Sequence, residues 1–344
     1  MNAPAAAAYF DQDAVRRAVD ATLDDFLATQ CRSAHRRGLP QEAAQALSDF
    51  LGSGGKRVRP TLCVAGWQAA GGTGTPEPVL KAAASLEMFH AFALIHDDII
   101  DASDTRRGQP TVHRQAGTEA AILIGDLALV FADQLMHSAR LTPTQLTAVL
   151  PVADHLRADT IYGQYLDMSH ARQPTPDPGP ALTITRYKTA KYTIEGPLLL
   201  GAALAGADDA LRGTLSAYGL PMGEAFQLRD DLLGVFGNPD DTGKPALDDL
   251  REGKVTVLMA LALRSADRTQ RRVLRDHVGN PHLTDDGARH VRTVLDDTGA
   301  RATVEEMIIR RRQKALSALD TGTLPAHIAH ALRSMAFSAT ARTT

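Results

Sequence analysis

Apolar residues return every three or four positions along most of this chain, and that period predicts packed amphipathic helices. The pattern runs through "DAVRRAVDATLDDFLATQ", "VLKAAASLEMFHAFALIHDD", "GDLALVFADQLMHSA" and "TPTQLTAVLPVADHLRADTIYGQYLDMS". It resumes in "RGTLSAYGLPMGEAFQLRDDLLGVFG", "VTVLMALALRSA", "DDGARHVRTVLDDTG" and "ARATVEEMIIRRRQKALSAL". Alanine and leucine, both good helix formers, fill these stretches. No convincing period-two series interrupts them, so the expected class is all-α.

Gly and Pro punctuate the helices at "GSGGKRVRP", "GGTGTPEP", "RQPTPDPGP", "FGNPDDTGKPA" and "VGNP". A length of 344 residues permits two domains. Helices of similar character flank the "RQPTPDPGP" loop, so it reads as a surface loop, and one domain over 1–344 is expected. With 44% hydrophobic and 22% charged residues and a net charge of −3, the composition is that of a soluble globular chain. It offers no basic face for nucleic acid. Cys31 and Cys63 have neither a disulfide pattern nor metal spacing, which suits a reducing cytoplasm. The N-terminus lacks a basic start with a long apolar run, so no signal peptide is expected. No uninterrupted apolar run reaches the ~18 residues of a membrane span; "EGPLLLGAALAGA" comes closest.

The unusual chemistry lies in two acidic pairs near predicted helix C-termini, Asp97–Asp98 in "DDIID" and Asp230–Asp231 in "RDDLLG". Asp97 and Asp101 are four apart, hence stacked on one helix face at a repulsion of roughly 0.2–0.5 kcal/mol. They also meet the negative end of the helix dipole. The ordinary reading of one such pair is a solvated helix end, here balanced by Arg106 and Arg107. Two pairs together with nearby basic elements favour a divalent cation. The donors are all oxygen, with no His or Cys at zinc spacing, so the expected ion is hard, such as Mg²⁺. Mg²⁺ is usually shared between one or two carboxylates and substrate phosphates.

The basic elements supply the matching anion sites. "GSGGKRVRP" sets Lys56, Arg57 and Arg59 behind a glycine loop, with Pro60 placed to start a helix. Arg106–Arg107 form a second cluster, "YKTAKYT" contributes Lys188, Thr189 and Lys191, and "TGKPALDDLREGK" contributes Lys244 and Lys254. Lysine is scarce in this chain, so lysines kept in motif-like positions carry weight. Two sets of cations and two acidic helices suit two diphosphates, one of them metal-bound.

Taken in order, "GGKRVRP", "HAFALIHDDIIDASDTRRGQPTVH", "GQYLDM", "KTA", "FQLRDDLLG" and "GKPALDDLREGK" resemble the trans-isoprenyl diphosphate synthases of the polyprenyl synthetase family, from about Gly54 to Lys254. The resemblance implies an antiparallel all-α helix barrel of the isoprenoid synthase type around a deep central cavity, usually as a homodimer. It implies Mg²⁺-dependent head-to-tail condensation of isopentenyl diphosphate with an allylic diphosphate, releasing pyrophosphate. Carried over by position, Asp97 and Asp101 bind two Mg²⁺ ions and Asp230 a third, with Asp98 and Asp231 beside them. Arg106, Lys188 and Lys244 contact the allylic diphosphate. Lys56, Arg59, His90 and Arg107 hold isopentenyl diphosphate, so the two arginines divide between substrates rather than neutralise the acids. Thr189 and Gln227 face the reacting carbons.

Two departures from the family pattern stand out. Gly234 replaces a frequent third Asp in the second motif, and Val255 replaces a frequent basic residue. Chain length is read from the residues before "DDIID". Ala93 lies one turn below Asp97, about 6 Å by helical rise, and is small enough to leave a passage. Phe89 or Phe92 then forms a floor, although a helical Phe is more often plain core. An aromatic followed by a small residue, with no insertion in the motif, resembles geranylgeranyl diphosphate synthases. The alternatives are a farnesyl or longer-chain synthase, a class I terpene cyclase, and a non-catalytic subunit, toward which only Gly234 points.

Overall fold

The computed structural model describes residues 9–171, 175–237 and 247–341. It is helical almost throughout, as the periodicity requires. The N-terminal part comprises α1 (Gln12–Arg36), α2 (Glu42–Gly52), α3 (Val58–Ala69), α4 (Glu77–Ile100), the short α5 (Val112–Ala116), α6 (Thr118–Ser138) and α7 (Pro143–His170). There follow α8 (Gly179–Ile184), a π-helix (Thr185–Glu195), α9 (Gly196–Leu204) and α10 (Asp209–Phe236). The C-terminal part is α11 (Asp248–Glu252), α12 (Val257–Ser265), α13 (Arg268–His277), α14 (Asp285–Asp297), α15 (Ala300–Thr321) and α16 (Ala326–Thr340).

The one β element among the described residues is a hairpin, β1 (Thr105–Arg106) paired antiparallel with β2 (Gln109–Pro110). Its two central residues, Arg107 and Gly108, both have positive φ, at 53° and 74°. Such a turn matches the twist of paired strands. No Asn-Gly or Asp-Gly signal marks it, which is why sequence reasoning passed over it.

Within a chain read above as one domain, the helices gather into two compact units, each built from separated segments. The first holds the chain up to Ala153 with Pro197–Arg212 and Thr323–Ala331. The second holds Asp154–Gly196, Gly213–Gly322 and the chain from Leu332.

In the first unit α4 is buried on most sides, through Val79, Ala82, Ala83, Ala84, Met88, Phe89 and Ile95 among others. Small residues let its neighbours come close. Ala121, Ala128 and Ala132 of α6 are fully buried, and a Cβ on Gly125 would lie 2.5 Å from His96 Nε2. The α3 and α9 backbones touch at Gly66 and Gly201, where an added Cβ would fall 2.1 Å from the Leu198 oxygen and 1.8 Å from the Cys63 oxygen. By length and apolar composition α4 and α6 would each suffice to cross a membrane. The scattered polar residues hid this from a search for unbroken apolar runs. Most of the apolar stretch of α4 is nonetheless buried in the core.

In the second unit α10 is central, burying Leu215, Met222, Ala225, Leu228 and Leu232. Tyr218 is buried beside them and its hydroxyl donates to the Leu332 carbonyl at 2.9 Å. Local signals fix the helix starts. Asp267 and Gln270 form a reciprocal capping box on α13, and Thr256 and Thr284 cap α12 and α14.

Candidate active site

The first unit presents "DDIID" at the end of α4. Asp97 and Asp98 lie in its last turn and Asp101 caps it, donating its N–H to the Asp97 carbonyl at 2.8 Å. That last turn holds no basic residue, so the acids do oppose the dipole. Asp97 and Asp101 are half-buried, whereas Asp98 is 1% exposed. From β1, Arg106 forks onto Asp98, with Nε at 2.8 and 2.9 Å from the two oxygens and Nη2 at 2.6 Å from one. Arg106 lies 4.0 Å from Asp97. The expectation that the arginine pair leaves the acids alone is therefore corrected: Arg106 compensates the buried Asp98. A buried carboxylate demands such a partner. Burial pushes the Asp98 carboxyl up in spite of Arg106. Burial also lowers the Arg106 guanidinium, but its bonds to Asp98 and the charges of Asp98, Asp97 and Asp101 together outweigh that and the net shift is upward.

Behind this helix end lies a group of cations. Arg57 opens α3 in the left-handed region, φ 46°, with its side chain buried. Its Nε donates to Asp20 of α1 at 2.7 Å, Nη1 to Glu87 of α4 at 2.9 Å, and Nη2 to the Leu51 carbonyl of α2 at 2.7 Å. One guanidinium thus ties the glycine loop to three helices. Arg107 reaches the same loop, donating to the Gly54 carbonyl. Gly55 has a φ of 151°, which favours glycine, and a Cβ there would also stand 3.1 Å from Arg57 Nη1 and 3.4 Å from Arg107 Nη2. Lys56 is exposed and Arg59 half-buried. His90, half-buried on α4, is held well below the usual imidazole range, first by burial and then by Arg59, Arg106, Arg107 and Arg57. It is therefore neutral near pH 7, beside a surplus of positive charge that suits a polyanion.

One turn below Asp97, Ala93 is half-buried. Phe92 packs on Phe89 with ring centroids 5.3 Å apart and meets His96 edge-on at 4.8 Å. Phe89 is fully buried. It backs Phe92 from the core.

The second unit carries its residues on the π-helix and α10. Lys188 donates to Asp167 of α7 at 2.6 Å and Lys191 to Asp159 at 2.7 Å. The π-helix can lie this close because α7 has Gly163, where a Cβ would be 2.3 Å from the Lys188 nitrogen. Thr189 Oγ1 donates to Gln227 Oε1 at 2.8 Å, and Gln227 Nε2 donates to Asp231 Oδ1 at 2.8 Å. Asp230 is half-buried and Asp231 buried. Burial raises Asp231 to about 7, opposed by Gln227 and assisted by Asp249 and Asp230. Both acidic motifs thus share one plan: the first Asp is accessible and the second is buried on a polar partner.

Gly234 acquires a physical reason. A Cβ there would lie 1.7 Å from Asp249 Oδ2. The carboxylate of Asp249, from α11, occupies the space a side chain at 234 would need, and it pairs with Lys254 at 3.0 Å. Val255 is buried, so its apolar side chain suits its place. Lys244 lies outside the described residues. The sequence reading left out the partners that hold the site residues: Asp20, Glu87, Asp159, Asp167 and Asp249. Of these Asp167 and Asp249 carried a signal, inside the "GQYLDM" and "GKPALDDLREGK" motifs.

Among the described residues no three His, Cys, Asp or Glu side chains converge into a metal cage. The donor set nevertheless fits a hard cation shared with a ligand: accessible carboxylates at Asp97 and Asp101, and again at Asp230, with no sulfur or imidazole.

Comparison with known proteins places this arrangement. The polyprenyl synthetase family model matches residues 40–295. A geranylfarnesyl diphosphate synthase of Aeropyrum pernix is 34% identical over 264 residues, covering 76% of this chain and 81% of its own. A (2E,6E)-farnesyl diphosphate synthase of Mycobacterium tuberculosis is 33% identical over 250 residues, 72% of this chain and 68% of its own. The crystal structure of a Corynebacterium glutamicum geranylgeranyl pyrophosphate synthase, complexed with isoprenyl diphosphate and magnesium, superimposes with a TM-score of 0.92 at 39% identity, covering 96% of this chain and 99% of that one. The chain belongs to the polyprenyl synthetase family and has its all-α isoprenyl synthase fold. It is a prenyltransferase, an isoprenyl diphosphate synthase.

Proposed function

We propose that the chain makes geranylgeranyl diphosphate by head-to-tail condensation of isopentenyl diphosphate with an allylic diphosphate, residues 1–344 acting as one catalytic domain. The observation that carries the assignment of roles is the shared plan of the two acidic motifs, each with an accessible first Asp over a buried, anchored second one. In this scheme Asp97 and Asp101 hold two Mg²⁺ ions and Asp230 a third. Bound there with substrate, Mg²⁺ supplies Lewis-acid neutralisation of the leaving diphosphate.

The protein's own groups do the rest. Arg106, Lys188 and Lys244 draw charge onto the allylic diphosphate, so its C–O bond ionises to an allylic cation. Lys56, Arg59, Arg107 and neutral His90 hold isopentenyl diphosphate so that its double bond meets that cation. Thr189 donates its hydroxyl hydrogen bond to Gln227, which leaves the hydroxyl lone pairs to face developing positive charge. Asp231 fixes the Gln227 amide in the orientation this requires. The proton lost from the new carbon chain passes to the departing pyrophosphate, so no side-chain base is needed. Product length is limited at Phe92 after passage over Ala93.

The chain acts in the cytoplasm as a homodimer. Support for a partner comes from α6, where Ile122, Leu123 and Val130 are exposed at 43%, 68% and 49%. Light scattering on the eluting protein tests this; a monomer at micromolar concentration contradicts it.

The decisive test of the residue roles is pyrophosphate release with Mg²⁺ and both substrates, compared with either substrate alone. Release requires both, and Asp97→Asn and Asp230→Asn each lower kcat by ~10²-fold or more, on the scale of losing one electrostatic stabiliser. Release from an allylic diphosphate alone indicates a cyclase, and turnover appearing only with an added protein indicates a subunit.

A further inference from the structure

The second unit holds a cleft of about 460 Å³ lined by none of the residues assigned to substrates. Its floor is Leu220 and Pro221 of α10, and its rim carries Arg186 of the π-helix with Arg310, Arg311 and Lys314 of α15. The volume lies in the range of small-molecule sites.

The cleft has a charge surplus organised by one acid. Glu224, 6% exposed, accepts from Arg186 Nε at 3.0 Å and Nη2 at 2.8 Å on one oxygen. Its other oxygen accepts from Arg311 Nε at 2.8 Å. Both Glu224 oxygens are thereby engaged, and the two guanidinium planes are held in fixed orientation at the cleft wall. Arg311 also approaches the Met307 carbonyl at 3.5 Å. Arg310 pairs with the exposed Glu306, at 2.5 Å on the same helix, and Lys314 is exposed. Four cations against Glu224 leave three net positive charges around the cleft, or two if Glu306 is counted. Oriented guanidinium forks beside an ammonium favour phosphate oxygens over a single carboxylate. The apolar floor favours a ligand with a hydrocarbon portion.

We infer that this cleft binds an organic phosphate or diphosphate carrying an apolar group, at a second site that needs no metal. The chemistry admits two sources, a prenyl diphosphate and another phosphorylated metabolite, and the test separates them.

The test is lysine footprinting by mass spectrometry on the full-length protein in EDTA, where binding that depends on Mg²⁺ at the aspartates is abolished. Acetylation of Lys314 is followed while inorganic pyrophosphate or geranylgeranyl diphosphate is titrated. Ligand at ten times its Kd slows Lys314 labelling by about tenfold. Arg310→Ala, which touches no assigned substrate residue, weakens that protection and leaves protection of Lys56 as in wild type. Protection at much lower concentration of the prenyl ligand assigns the floor to hydrocarbon; equal protection by pyrophosphate assigns the site to the phosphate alone. Lys314 labelling unchanged by both ligands at millimolar concentration overturns the inference. So does protection by vesicles of anionic lipid but by neither soluble ligand. Because acetylation is read without turnover, failure here is distinguishable from failure of the synthase assignment.

Discussion

Replacing Arg57 by Met tests how the glycine loop is held. The side chain is buried and pairs at 2.9 Å with Glu87, whose own side chain is 3% exposed. Among the described residues Glu87 Oε2 has no hydrogen-bond partner, so Arg57 is the main compensation this carboxylate receives. Removing the guanidinium leaves the buried Glu87 carboxylate without its hydrogen-bonded partner, at a cost of about 3–5 kcal/mol. The Asp20 arm is different. Asp20 is 40% exposed and solvates readily, so Asp20→Asn costs about 0.2–1 kcal/mol. The double variant Arg57→Met/Glu87→Met exchanges the ion pair for apolar volume and recovers more than half of the single-variant loss. The assay is urea unfolding followed by circular dichroism, read as midpoint shifts at constant slope. Arg57→Met also raises KM for isopentenyl diphosphate, since the loop bearing Lys56 loses its tie to α1, α2 and α4. The reasoning is refuted if Arg57→Met costs no more than Asp20→Asn, or if the double variant loses as much as the two single variants together.

Gly234→Ala places a methyl where Asp249 lies and displaces it from Lys254. Loss of that charge-assisted bond lowers stability by about 1.5–3 kcal/mol in the same unfolding assay. Ala93→Phe shortens the product toward farnesyl diphosphate, read by chromatography of the dephosphorylated prenols; an unchanged product removes Phe92 and Ala93 from the chain-length argument. His90 gives a pH signature. Its folded pKa lies below its unfolded value, so the unfolded chain binds the extra proton. The His90 contribution is complete above the unfolded pKa and is lost as pH falls through about 6.5 toward the folded value. His90→Gln flattens that part of the stability–pH curve.

What the sequence disclosed was local. Three- and four-residue periodicity located α1, α4, α6, α7, α10, α12, α14 and α15, and like-charge spacing singled out Asp97, Asp101 and Asp230. The features that escaped are tertiary. Glu87 sits inside an apolar run and carries meaning only when Arg57 is folded against it. The positive φ of Arg107 shapes a hairpin with no sequence signal beyond Gly108. The π-helix has the apolar spacing of an α-helix, and only close packing against Gly163 distinguishes its place. Gly234 read as a missing acid, yet the space belongs to Asp249, fifteen positions later in the chain. Arg106, expected to serve substrate alone, also anchors the buried Asp98.

The most direct measurement is the product formed by the purified protein from isopentenyl diphosphate and each of dimethylallyl, geranyl and farnesyl diphosphate, with Mg²⁺ and with EDTA. The account predicts one twenty-carbon prenol after dephosphorylation, from every starter accepted, and no product in EDTA. A fifteen-carbon end product contradicts the passage over Ala93, and condensation undiminished by EDTA contradicts the role given to Asp97, Asp101 and Asp230.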